Sequence, residues 1–409
     1  MRRRDISSDV SRLRLHHRLN QAIDALPEPP ATPTVVVDVD AFDSNADDLT
    51  RRAGGTPIRV ASKSLRVPAL ITRALSRPGF AGVLSYSLRE ALWLHKQNVC
   101  DDILMGYPSV DRAALRTFVA NQDAARAITL MVDDVAHLDL VDDARDGAST
   151  EVRIAIDIDA GFRLGRSHVG PKRSPLYDVA QVLALAQEII SRPGFELVGV
   201  MTYEGQIAGV PDDVPGERAR SLVVRRMKSA SIHQLGQRRI EIAEALRDMV
   251  ELKFWNAGGT GSIGSSAADP EVTEVSAGSG LLGPHLFDNY SGFAPLPAAF
   301  FGLRVARRPA PEAVTVAGGG LIASGAPGLD RSPLPWSPPG LHLTGLEGAG
   351  EVQTPLVGPA ASSLRIGDLV WFRHAKSGEV AEHTNAIHLL AGAAVVETVS
   401  TYRGKGNAW

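Results

Sequence analysis

Between about residue 55 and residue 280, short apolar runs rich in β-branched residues alternate with longer stretches of helical spacing. The runs at 58–61, 82–85, 102–105, 128–132, 152–157, 197–201, 253–256 and 272–275 have the length and composition of buried strands. Between them the spacing predicts helices, among them 88–98, 177–191 and 231–252. Strands that alternate with helices form a parallel sheet, and eight such repeats fit a closed (β/α)8 barrel of TIM type. A doubly wound open sheet is the alternative, but it rarely runs through so many uninterrupted repeats.

After about residue 290 the texture changes. Pro and Gly become frequent, as in Pro333-Leu334-Pro335-Trp336-Ser337-Pro338-Pro339-Gly340. Short β-like pieces at 314–317, 341–343, 369–372 and 394–397 follow one another without long helices, which predicts a β domain. The chain thus reads as an α/β protein in three parts: a lead-in helix over 1–32, a barrel over 33–285 and a C-terminal β domain over 286–409. An early strand at 34–40 precedes the barrel and either joins the β domain or bridges to it.

Composition narrows the class. The 409 residues are too many for one ordinary core, and 44% hydrophobic with 22% charged residues are the proportions of a soluble globular protein. A net charge of -3 gives neither nucleic acid nor an anionic membrane an electrostatic hold, so a small molecule is the expected partner. No run approaches the roughly 18 apolar residues of a membrane span. The basic start Met1-Arg2-Arg3-Arg4-Asp5 leads into Arg12, Arg14, His16, His17 and Arg18 instead of an apolar stretch, so no secretory signal is expected. Cys100 is the single cysteine, which excludes an internal disulfide and a thiolate zinc cluster and suits a reducing cytosol.

Chemistry in such a barrel gathers at the C-terminal strand ends, where Lys63, Asp159, Tyr203 and a glycine run fall. Lys63 closes Pro57-Ile58-Arg59-Val60-Ala61-Ser62-Lys63-Ser64, and an amine there can condense with an aldehyde. The run Asn256-Ala257-Gly258-Gly259-Thr260-Gly261-Ser262 follows the seventh strand candidate and bares successive N–H groups that suit a phosphate. Pyridoxal 5'-phosphate needs both features. A lysine at a strand end is otherwise an ion-pair partner on the rim, and a glycine run is otherwise a plain turn. Gly278-Ser279-Gly280, after the eighth candidate, can add N–H groups. Arg66 can lower the pKa of Lys63 or serve a phosphate or carboxylate. Arg163, in Asp159-Ala160-Gly161-Phe162-Arg163-Leu164-Gly165, can hold a cofactor ring oxygen or a substrate carboxylate, or pair with Asp157 or Asp159. Tyr203, in Tyr203-Glu204-Gly205-Gln206, either walls a cofactor or packs in the core. Arg373-His374-Ala375-Lys376, with Glu379, Glu382, His383 and His388, has the composition of a metal site but no strong zinc spacing.

Taken together these motifs resemble the fold type III pyridoxal-phosphate enzymes, in the branch of the D-threonine aldolases and D-serine dehydratases, with alanine racemases more distant. The resemblance runs from about Pro33 to the C-terminus and includes Asp38-Val39-Asp40-Ala41 with Asn45. Glu347-Gly348-Ala349-Gly350-Glu351-Val352-Gln353, Gly367-Asp368 and Arg373-His374-Ala375-Lys376 are similar to the amino acid deaminase/aldolase subgroup. The resemblance implies Lys63 as catalytic lysine, a head-to-tail homodimer, and a divalent metal (Mn, Mg or Zn) bound through a His-x-Cys or His-x-Asp pair. Here His374-Ala375-Lys376 stands at that pair, and a protonated lysine cannot ligate a cation. Lys376 can instead supply the positive charge itself. The implied activity is a lyase acting on β-hydroxy D-amino acids, with His374 as the base for the β-hydroxyl proton. Dehydration to a 2-oxo acid and ammonia is the alternative. So is racemization, which needs a second base such as Tyr290, or a non-catalytic carrier of the cofactor.

Overall fold

Strands buried on both faces cannot alternate apolar with polar, and this explains why the barrel was written as continuous apolar runs. A computed structural model of the chain describes residues 8–147, 149–326 and 328–409. It divides into two compact units: one comprises 48–63, 71–278 and Trp409; the other comprises the N-terminal residues to Asp47, together with 64–70 and 279–408. Strands are numbered along the chain, with β1 (Thr34–Asp38) in the second unit.

In the first unit, β2 (Ile58–Ala61), β3 (Phe80–Ser85), β4 (Ile103–Met105), β5 (Ile128–Val132) and β6 (Val152–Asp157) run in sequence. A short hairpin of β7 (Phe162–Leu164) and β8 (Ser167–Val169) follows, then β9 (Phe195–Thr202), β10 (Phe254–Ala257) and β11 (Glu274–Ala277). All but β7 and β8 close into one eight-stranded barrel, with parallel pairing throughout. The expected strand runs are these eight strands. Ring closure is the register Val275↔Ile58 and Ala277↔Val60 between β11 and β2.

The barrel wall carries one buried polar knot. Arg59 on β2 donates to Glu274 on β11 at 2.9 and 2.8 Å and to Asp102 at 3.1 Å. Asn256 on β10 donates to the same Glu274 at 2.8 Å and to Ser276 at 2.9 Å. Burial alone pulls the Arg59 guanidinium down, but Glu274 and then Asp102 outweigh it and hold its pKa above the ordinary value.

Helix ends follow local chemistry. Ser87 caps Leu88–Lys96 by accepting from the Glu90 N–H, and Asp178 with Gln181 forms a capping box at Val179–Ser191. The helix expected over 231–252 runs instead from Arg218 to Arg247. Its first turns leave Leu222 and Val223 exposed among arginines, so no apolar stripe marks where it starts.

The second unit begins, among the described residues, with helix Asp9–Asp24, whose N-cap Ser8 accepts from Ser11 N. Residues 1–7 of the expected lead-in helix lie outside the described residues. Its sheet holds β1 with β12 (Ala299–Ala310), β13 (Ala313–Ala317), β14 (Leu334–Ser337), β15 (His342–Leu343), β16 (Gln353–Val357), β17 (Leu369–Arg373), β18 (Ala386–Ala391) and β19 (Ala394–Ser400). β1 lies between an antiparallel β12 and a parallel β18. Leu19 and Ile23 of the helix pack with Val36, Phe300, Trp371 and Leu390 in the core of this unit. Among the described residues no helix is long and apolar enough to cross a membrane.

Candidate active site

The barrel directs each strand's last residues toward one rim, and Lys63 stands there on a single 3-10 turn, Ser62–Ser64, just past β2. Ser62 Oγ donates to Leu84 O at 3.1 Å and ties that turn to β3. Lys63 Nζ donates to Tyr107 Oη at 2.7 Å and lies 5.4 Å from the centre of its ring. Tyr107 follows β4, where the Gly106 N–H donates to Ser85 O at 2.8 Å. The Arg173 guanidinium lies 5.5 Å from the ring of Tyr107 and 5.5 Å from that of Tyr203, at the end of β9.

The two phenols under one arginine are pushed apart. Burial raises Tyr107, but Lys63 and Arg173 together outweigh it and leave its pKa below the ordinary phenol value. Burial pushes Tyr203 up to about 12, with Arg173 only partly offsetting it. Tyr203 therefore stays protonated and acts as a wall, while Tyr107 is the titratable member.

The glycine cradle stands beside Tyr203. A Cβ on Gly259 would come within 3.1 Å of Ala208 Cβ and 3.3 Å of the Tyr203 ring, and Gly258 has a φ of +85°, so both positions call for glycine. The loop is held from beneath by Glu204, which is buried. Its carboxylate accepts from Ser262 Oγ at 2.8 Å, from Ser266 Oγ, from Arg239 at 3.3 Å and from the Gly258 N–H at 3.4 Å. Arg52 donates to Thr260 O at 2.8 Å. An amine at one end, a glycine cradle at the other, and two aromatic rings between them fit pyridoxal phosphate.

Other expected residues lie elsewhere. Arg163 sits on the β7–β8 hairpin, its guanidinium 3.5 Å from the Tyr177 ring and 3.8 Å from Asp159, and among the described residues its partners are these and Gln234. The hairpin is the cause, because it carries the loop outward to Gln234, which bonds the Arg163 backbone on both sides at 2.9 and 2.8 Å. Asp159 accepts from the Gly161 N–H and pairs with His168, each at 2.8 Å. Arg66 pairs with Glu382 at 2.6 Å. Gly278 ends the first unit; Ser279 opens the second, with its Oγ 3.1 Å from Ser64 Oγ and its carbonyl accepting from Ser377 at 2.9 Å.

His374 is buried, with no hydrogen-bond partner for Nε2 among the described residues, and burial lowers its pKa to about 3, so the imidazole is neutral. Lys376 Nζ donates to Ser324 Oγ at 3.0 Å. His388 bonds Thr398 at 2.9 Å, and Glu379 accepts from Ser324 N. Among the described residues no group of three or more His, Cys, Asp or Glu could hold a metal ion, and Lys376, a cation, stands at the second position of the expected ligand pair. Tyr290 is buried against Phe287 and Phe293, with ring centres at 5.3 and 5.2 Å.

Sequence reasoning missed Tyr107, Arg173 and the role of Glu204. Tyr107 could have been found, because it lies two residues past a strand candidate at the active rim. Arg173 had no local signal.

A (β/α)8 barrel with a lysine at the end of its first strand, a glycine cradle after its seventh and a separate β-sheet unit defines the fold type III pyridoxal-phosphate enzymes. Residues 37–285 match the alanine racemase N-terminal domain family, and the chain belongs to it. It is 25% identical to a D-threonine aldolase from Arthrobacter sp over 294 residues, which span 70% of this chain and 71% of that one. The solved D-threonine aldolase from Filomicrobium marinum superposes with a TM-score of 0.74 at 19% identity, covering 93% of this chain and 96% of the other. D-threo-3-hydroxyaspartate dehydratase from Delftia sp. HT23 gives 0.73 at 20% identity, covering 93% and 98%.

Proposed function

We propose that the chain is a lyase that cleaves β-hydroxy D-amino acids to glycine and an aldehyde by a retro-aldol reaction. The observation that carries this reading is the unbroken run from Lys63 Nζ through Tyr107, Arg173 and Tyr203 to the Gly258 cradle. Similarity to a D-threonine aldolase supports the substrate class. When bound, pyridoxal phosphate supplies an electron sink for charge that develops at the substrate Cα. Gly258–Gly261 form the loop for its phosphate; the Gly258 and Gly259 N–H groups already bond Glu204 and Ser262 Oγ, so Thr260 and Gly261 are the proposed donors. Lys63 is the amine for its aldehyde carbon and exchanges the proton at Cα. Arg173, in the place expected of Arg163, is the guanidinium for a substrate carboxylate.

His374, on the sheet unit, is the proposed acceptor for the β-hydroxyl proton, contributed by the second copy of the chain in a head-to-tail homodimer. A neutral imidazole whose Nε2 has no partner among the described residues offers the lone pair for that role, while burial, which lowers its pKa to about 3, weakens it as a base. No step is routed through a metal; Lys376 supplies the positive charge. If Lys63 removes the α-proton before the Cα–Cβ bond breaks, the same residues expel the β-hydroxyl and give a 2-oxo acid and ammonia. The similarity to a hydroxyaspartate dehydratase keeps that second reading. The packed position of Tyr290 counts against a racemase. A cytosolic head-to-tail homodimer, checked by sedimentation, completes the proposal.

Product analysis tests it. Purified protein with pyridoxal phosphate is given D-threonine and D-phenylserine, with and without Mn²⁺. Glycine plus an aldehyde, independent of Mn²⁺, supports both the lyase and the role of Lys376. A 2-oxo acid with ammonia replaces the aldolase by the dehydratase. Unchanged substrates remove both.

A further inference from the structure

A lysine that exchanges a proton at carbon needs a partner for that proton, and the rim supplies one. Tyr107 Oη accepts from Lys63 Nζ at 2.7 Å, and Tyr107 stands two residues past β4, next to Gly106, whose N–H bonds Ser85 O on β3. Lys63, from the turn after β2, meets its hydroxyl, and Arg173, from the segment after β8, lies 5.5 Å from its ring centre and 5.5 Å from that of Tyr203. Both cations lower the cost of a phenolate at Tyr107, whereas burial, with Glu204 adding to it, keeps Tyr203 neutral.

We infer that Tyr107 is the proton partner of Lys63, positioning Nζ through their hydrogen bond and carrying the proton that Lys63 exchanges with the substrate Cα. The inference rests on the proposed reading of Lys63 as the cofactor-binding amine. The Tyr107 phenolate takes one proton from the Lys63 ammonium, which leaves a phenol and a neutral amine. The amine lone pair then forms a new N–H bond with the Cα proton, and the C–H electron pair stays on carbon. Reversing both transfers restores Cα–H. No oxidant or further reactant enters.

The test is Tyr107→Phe, which keeps the ring and removes only the oxygen that Lys63 bonds. Borohydride reduction followed by peptide mass analysis shows whether pyridoxal phosphate is attached at Lys63. Exchange of the glycine α-proton in D₂O, followed by NMR across pH, reads the proton transfer itself. Ultraviolet titration of the cofactor-free chain reads the phenols. The expected result is retained attachment at Lys63, exchange slowed by about 10²–10³-fold, and loss of the first phenol to ionise. Exchange that matches the wild type in rate and pH dependence, with cofactor attached, overturns the relay. So does a uniform slowing at every pH with an unaltered phenol titration, which marks a structural role. Wild-type protein with no attachment at Lys63 overturns the site reading beneath it.

Discussion

Two groups of charges in the barrel unit are built on opposite plans. In the wall, Arg59 is enclosed by Glu274 and Asp102 at 2.8–3.1 Å, and Asn256 completes the second acceptor position of Glu274. On the rim, Lys63 Nζ bonds the Tyr107 hydroxyl and the Arg173 guanidinium lies 5.5 Å from the ring centres of Tyr107 and Tyr203, and Arg173 makes no ion pair among the described residues. A closed ion pair holds its protonation state over a wide pH range and fixes the strands that carry it. A cation bonded to a phenol is coupled instead to that phenol's protonation state. The wall network is architecture, and the rim group is where the proposed chemistry falls.

Removing one charge from each group should separate the two roles. Lys63→Met is expected to abolish cofactor attachment and lower kcat by at least about a thousandfold. Lys63 is exposed, so the denaturation midpoint should barely move. Glu274→Ala should do the reverse. It leaves the Arg59 guanidinium buried beside Asp102 alone, at a cost of about 3–5 kcal/mol in urea unfolding. The surviving folded fraction should still attach pyridoxal phosphate at Lys63. If Glu274→Ala destroys attachment without loss of stability, the separation of wall and rim is wrong.

The same contrast explains what could be read from the sequence. The eight barrel strands were legible because each is a short apolar run buried on both faces, and Lys63 and Gly258–Ser262 were legible because each is a local motif at a strand end. β12 was not. Its Phe300-Phe301-Gly302-Leu303 half is core, but Arg304, Arg307, Arg308 and Pro309 make the remainder read as loop. Arg163 was legible as a position but not as a partner, because four residues past Asp159 the chain enters a hairpin that sets it on Tyr177. Arg173 reaches Tyr107 and Tyr203 only through tertiary structure, and no spacing encodes that. Glu204 was visible next to Tyr203, yet its four donors come from Gly258, Ser262, Ser266 and Arg239, brought together by the barrel.

Asp157 lies between the two plans and gives the smallest and sharpest of these tests. It ends β6, is 7% exposed, and is pushed up to about 7 by burial first and then by Asp133, with Arg173 only partly countering them. An unfolded aspartate titrates near 4. Between pH 4 and 7 the folded chain therefore binds the proton that the unfolded chain has lost, and stability falls as pH rises through that window. The loss is complete above about pH 7 and, from a rise of about three units, is on the order of 2–4 kcal/mol. Asp157→Asn keeps the shape and removes the titration. Its unfolding free energy should change less than wild type's from pH 5 to pH 8, and by pH 8 it should be the more stable protein. Parallel curves for the two proteins would mean that Arg173 already neutralises Asp157, and the rim would then be as closed as the wall.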